Sequence, residues 1–213
     1  MKRRMFRTAF LCFYCLLAVV GLVLDFDLFS GKISRMPFVY YTSLSNMLCS
    51  GFMLGALFRN FRKRPGTPWP RCKFVFTVMI LLTALVYNLL LNSHRSLASY
   101  FGDVKNALYH LILPVIFLLD WFLFYPRGTM KSWHPLLAVL PPMFYAIYIV
   151  IRAAILKTAA IQASVLYPYF FLNPDRLGWT GFTQWMAILL AGILLMSYGL
   201  YALDRLCRLK TTA

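Results

Sequence analysis

Thr42 and His110 are the two side chains whose presence packing explains least. Each lies a few residues inside a different apolar run. A threonine hydroxyl attacks a carbonyl only when a neighbouring base removes its proton. Imidazole, with an unperturbed pKa of about 6.5, is the side chain suited to that task near neutral pH, and such proton transfer contributes roughly 10²–10⁴-fold. The pair therefore points to acyl transfer. In YYTSLSNML, Thr42 and Asn46 are four apart and share a helical face. Asn46, Ser43 or Ser45 can donate hydrogen bonds to an oxyanion formed beside Thr42. Asp25 can orient the imidazole or pair with Arg152. Tyr87, Asn88 and Arg152 complete the candidate pocket.

Such residues need elements to hold them. Hydrophobic residues make up 61% of the chain and charged residues 13%, a composition foreign to a soluble domain. Crossing about 30 Å of hydrocarbon takes about 20 apolar residues in a helix. Six runs qualify, at about 8–29, 38–58, 74–92, 106–125, 135–156 and 181–203. They predict an all-α polytopic protein, a single six-helix integral membrane domain over 1–213.

Charge orients it. The net charge is +16, yet 15 of the 22 basic residues fall in alternate segments: the N-terminus, 59–73, 126–134 and the tail. The positive-inside rule places both termini in the cytoplasm and explains the basicity without nucleic acid; the basic segments also touch anionic membrane lipids. The N-terminal run lacks a small-residue cleavage site before Asp25 and reads as an uncleaved first span. With that orientation, Asp25, Thr42, Tyr87, Asn88, His110 and Arg152, from five spans, all fall in the outer third of the bilayer. Intramembrane polar groups are costly, which makes their common depth informative.

Punctuation along the chain adds detail. Pro65, Gly66, Pro68 and Pro70 break the helix in 59–73, and Pro141 and Pro142 are expected to kink span five. Pro114 lies one turn beyond His110 and frees a backbone carbonyl there. YPYFFLNPDRLGW reads as an ordered cap or interfacial loop. Asp120-Trp121 reads as an interfacial anchor, His94 as part of an external loop and His134 as a solvated residue at the cytoplasmic rim. Cys12, Cys15, Cys49, Cys72 and Cys207 suggest no disulfide framework. No metal or organic cofactor is implied, because His110 has no Cys, His or carboxylate companions at ligand spacing.

At YYTSLSN and ALYHLILPVIFLLDW the chain resembles the androgen-induced-protein-like family of six-span membrane proteins. The family's aromatic-Thr followed by Ser-Asn matches Tyr41, Thr42, Ser45 and Asn46, and its His followed by Leu-Pro matches His110, Leu113 and Pro114. YPYFFLNPDRLGW and Asp120-Trp121 are similar to the bacterial branch, which implies a bacterial inner (plasma) membrane protein. The resemblance implies hydrolysis of fatty acid esters of hydroxy fatty acids, or similar lipid esters, by a threonine nucleophile and a histidine. The expected enzyme is an intramembrane threonine-type hydrolase whose lipid ester enters sideways from the outer leaflet. The alternative is a non-enzymatic lipid-binding or small-molecule transport protein using the same polar groups. A third is an assembly protein in which Thr42 bonds its own helix and the Ser and Asn residues join helices.

Overall fold

The computed structural model describes residues 2–64, 67–92, 96–157 and 166–211. All regular structure among them is helical. The longer helices are α1 (Lys2–Asp25), α2 (Tyr41–Phe61), α3 (Pro70–Val86), α6 (Leu113–Phe124), α7 (Leu140–Lys157) and α8 (Pro174–Thr211). Two short ones, α4 (Leu97–Gly102) and α5 (Val104–Ala107), precede α6. Contacts divide the chain into two units, Met1–Thr129 and Met130–Ala213. His94 lies outside the described residues.

In the first unit α1 packs on α2 and α6, and α3 packs on α2 and α6, giving a four-helix ring. The buried stripe of α1 is Leu11, Tyr14, Ala18 and Gly21, the spacing of one helical face. Phe13, Leu16 and Val19 on its other side are exposed and equally apolar, as a lipid solvent requires. Tyr14 meets Phe117, Phe52 meets Phe76 and Phe117, and Phe74 meets Trp121 in the ring's interior.

Among the described residues five helical stretches are long and apolar enough to cross a membrane: Lys2–Asp25, Pro70–Leu91, Val104–Phe124, His134–Lys157 and Pro174–Cys207. The expected second span corresponds to α2, which has 21 residues but is not among the five. Its hydropathy is lowered by Thr42, Ser43, Ser45, Asn46 and Ser50, and Ser43, Ser45 and Asn46 point inward and are buried.

Several boundaries differ from expectation for local reasons. α1 ends at Asp25, before a turn with Asp27 at φ 53°. The loop expected over 59–73 shrinks, because Pro70 occupies the first turn of α3 after Trp69 in a left-handed conformation (φ 39°). Pro141 and Pro142, expected to kink span five, lie where it changes from 3₁₀ to α geometry. A 3₁₀ turn at His134–Val139 precedes α7, so both prolines fall in the first turn of α7, where the missing N–H groups have no intrahelical role. In the second unit Tyr167, Tyr169, Phe171 and Leu172 are buried, with Tyr169 stacked on Phe171 at 5.2 Å. Gly178, at φ 67° and ψ 167°, interrupts α8 near its start, a conformation open to glycine and strained for other residues.

Candidate functional site

Two π-helical turns, Tyr87–Leu91 and Leu108–Ile112, continue α3 and precede α6. They carry Tyr87 and Asn88 on one and His110 on the other. The second has a local cause. Pro114 lacks an N–H and its ring crowds the carbonyl four residues back, that of His110. The Leu113 N–H bonds instead to Leu108 O. Tyr109 O and His110 O therefore lose the donors that α geometry would give them. Asparagine amides replace those donors: Asn46 Nδ2 donates to Tyr109 O at 3.3 Å, and Asn88 Nδ2 to His110 O at 3.2 Å. π turns recur at functional sites for this reason, since they re-aim side chains and expose backbone.

The widened turn holds His110 against Thr42. Thr42 Oγ1 lies 3.3 Å from His110 Nε2. On the other side of the ring, Nδ1 is 3.2 Å from Asn106 O. A carbonyl only accepts, so in the neutral imidazole Nδ1 carries the proton and Nε2 presents its lone pair to the threonine hydroxyl. Tyr87 stacks on the ring, with centroids 3.5 Å apart and planes 16° from parallel. His110 is 6% exposed. Asp103 steadies the turn that supplies Asn106: its Oδ1 accepts the Asn106 N–H at 3.1 Å, as the N-cap of α5.

The other expected residues are placed as follows. Asn46 Nδ2 also donates to Thr42 O, at 2.9 Å, so its two N–H groups are spent on carbonyls rather than held for an oxyanion. Ser45 donates to Thr42 O at 2.9 Å and lies 2.8 Å from Thr83 Oγ1, tying α2 to α3. Ser43 is buried in the first turn of α2. Asp25 Oδ1 lies 3.6 Å from Lys105 Nζ, and the Asn106 carbonyl, not Asp25, contacts the imidazole Nδ1. Arg152 is in the second unit, where Nη1 donates to Leu166 O at 3.1 Å.

Asp120 and His134 sit differently from expectation. Asp120 Oδ2 is 2.9 Å from Lys73 Nζ, with both side chains fully buried. Lys73 also donates to Phe117 O at 2.9 Å and lies over the Phe117 ring. Trp121 is fully buried between Phe74 and Tyr125. This pair is thus an internal ion pair and a core ring rather than an interfacial anchor. His134 is 2% exposed and its Nδ1 accepts the Lys131 N–H at 3.1 Å, so it caps a turn instead of meeting solvent.

Reading residue types missed Asn106, Thr83 and Lys73. Asn106 acts through its main chain, which leaves no trace in side-chain chemistry, although its position four residues before His110 is the spacing at which a helical side chain reaches back to a carbonyl. No protein-family model, curated protein or solved structure matches the chain.

Proposed function

We propose that this protein is a six-span membrane hydrolase of lipid esters, related to the androgen-induced-protein-like family, with Thr42 as nucleophile and His110 as base. The observation that carries the reading is the relay Thr42 Oγ1 to His110 Nε2 at 3.3 Å and His110 Nδ1 to Asn106 O at 3.2 Å. It gives the neutral ring the tautomer that a general base needs. The distance is at the long end of a hydrogen bond, as is common in resting sites.

In this reading His110 Nε2 takes the Thr42 proton as Oγ1 bonds to the ester carbonyl carbon. The tetrahedral adduct collapses, the C–O bond to the alcohol breaks, and the imidazolium returns the proton to the departing alkoxide. Water then attacks the acyl-threonine ester, giving its proton to Nε2, and the fatty acid leaves as Thr42 is regenerated. Thr42 is the second residue of α2, so the adduct's oxyanion forms beside the positive end of a 21-residue helix, which favours negative charge. α2 serves as the sixth span, its polar face turned inward onto the site. The alternating basic segments support cytoplasmic termini with Thr42 toward the outer leaflet, and the resemblance to the bacterial branch supports an inner membrane, where a substrate with one polar head and long acyl chains enters from the side.

The test is covalent labelling of the detergent-purified protein by a fluorophosphonate probe. Labelling is expected at Thr42 and is expected to vanish in Thr42→Ala and in His110→Ala. Undiminished labelling of Thr42→Ala would overturn the assignment.

A further inference from the structure

A second polar site lies at the other end of the first unit. Arg3, Arg4 and Arg7 of α1, Asn60 of α2, Arg64 and Thr67 of the following loop, and Phe124, Tyr125 and Pro126 after α6 enclose an open cleft of about 690 Å³. Thr42 and Asn60 are 18 residues apart on one helix, which at 1.5 Å per residue separates the cleft from the proposed catalytic pair by about 27 Å.

Four guanidinium groups share this cleft, and none of its lining residues is acidic. Arg7 is the innermost. Its Nε and Nη2 are buried without a hydrogen-bond partner among the described residues, while its guanidinium carbon lies 5.3 Å from the Phe124 ring centroid and 5.8 Å from that of Tyr125. Buried charged donors left unmet are costly, and gathering like charges adds repulsion. An anion in the cleft offsets the charge of all four. Guanidinium groups grip phosphate oxygens side by side, and Arg3, Arg4 and Arg64, all exposed, present theirs to the cleft. Asn60 Nδ2 is turned away to Thr8 Oγ1 at 2.7 Å, so the arginines are the recognition groups. The apolar floor of Phe124, whose ring lies 5.8 Å from that of exposed Phe6, suits a ligand that is anionic at one end and greasy at the other.

We propose that this cleft binds the phosphate group of an anionic glycerophospholipid headgroup or of a soluble phosphomonoester, with the exposed Arg3, Arg4 and Arg64 as its direct contacts and the charge of Arg7 behind them. Basic pockets between membrane helices recognise anionic headgroups by this chemistry.

The experiment measures thermal unfolding of the full chain in neutral detergent, titrated with phosphatidylglycerol, with phosphatidylcholine, and with glycerol 3-phosphate at constant ionic strength. Saturable stabilisation by phosphatidylglycerol but not phosphatidylcholine is expected. Arg7→Gln, which removes a charge behind the cleft, and the exposed-loop variant Arg64→Gln, which removes a direct contact, should each weaken the apparent affinity about tenfold, while Lys131→Gln should leave it unchanged. Saturation by glycerol 3-phosphate that is lost in Arg7→Gln identifies a soluble source for the same phosphate site. Saturation by the lipid alone identifies the headgroup. An unchanged response in both Arg7→Gln and Arg64→Gln, or an equal loss in Lys131→Gln, would overturn the site in favour of diffuse surface charge.

Discussion

The side-chain amide of Asn88 donates to the main-chain carbonyl of His110 at 3.2 Å, and that carbonyl is the one Pro114 leaves without its α-helical donor. Asn46 does the same for Tyr109 O at 3.3 Å. Two asparagines from two helices thus replace two missing backbone donors on either side of the imidazole's anchor point. A polar residue in a membrane helix is costly, and here the cost is offset by satisfying the two carbonyls that the π turn leaves without α-helical donors. The direction of His110 toward Thr42 follows from that turn.

Asn88→Ala therefore strips a donor from a buried carbonyl, which costs about 1–3 kcal/mol, and lets the turn relax. Under the proposed hydrolase reading, ester hydrolysis is expected to fall by up to about 100-fold through misplacement of His110. Restoring an N–H with the double variant Asn88→Ala/Pro114→Ala should recover much of the stability in detergent unfolding without recovering kcat, since Asn88 would no longer hold the turn from outside. Recovery of both would show that the π turn does not aim the base.

Asp103 acts one step further out. It caps the turn whose Asn106 carbonyl fixes the His110 tautomer. Replacing an N-cap carboxylate by alanine costs about 0.5–2 kcal/mol. In the proposed hydrolase Asp103→Ala should lower kcat more than it raises KM, because the cap acts on the base through the Asn106 carbonyl, whereas Asp103→Asn should retain most activity. Steady-state kinetics of the two variants, with thermal unfolding as the fold control, makes the comparison.

Much of this arrangement was legible in residue types and spacing. Long apolar runs announced the helices, and Pro114 announced a freed carbonyl at His110. Thr42 and His110 stood out because hydroxyl and imidazole groups are costly in such runs. What could not be read is which polar group answers which. Lys73 stands among the basic residues of a polar segment, yet Pro70 starts α3 three residues earlier and turns Lys73 into the ring, onto Asp120. Asn46 is spaced to serve Thr42's chemistry, but its amide is taken by backbone carbonyls whose need arises from a distortion on another helix. Asp25 finds Lys105, a pairing set by how α1 meets α5. In each case sequence spacing specifies the face of a helix, while the partner is decided by packing between helices.

The Lys73–Asp120 pair, fully buried at 2.9 Å, makes a prediction independent of any activity. Removing one partner strands the other charge, at a cost of about 3–5 kcal/mol. Asp120→Leu and Lys73→Met should each lower the unfolding temperature sharply. The double variant Lys73→Met/Asp120→Leu should return close to the parent, because a packed apolar pair avoids the desolvation of two ions. A double-mutant cycle in detergent reads the coupling directly, and additive losses would mean that the two charges do not sustain one another.

Gly21 offers the sharpest packing test, because its effect reaches the candidate site through a single ring. A Cβ at this position would lie 2.5 Å from Tyr109 Cε1 and 3.2 Å from Cδ1. Tyr109 is 2% exposed, so its ring has no open space to move into, and it immediately precedes His110 in the π turn. Gly21→Ala should therefore cost about 1–3 kcal/mol as an overpacked core does, despite the better helix propensity of alanine. Gly51, by contrast, has nothing within 4 Å of an added Cβ and lies exposed in α2, so Gly51→Ala should stabilise by up to about 1 kcal/mol. The two substitutions are chemically identical and are expected to differ in sign. In Gly21→Ala the displaced Tyr109 should also lower the proposed hydrolytic activity, while Gly51→Ala should leave it intact. Trimming the ring in Gly21→Ala/Tyr109→Leu should recover part of the lost stability. Equal effects of the two glycine substitutions on unfolding temperature would mean that α1 does not approach the His110 turn as closely as the structure places it.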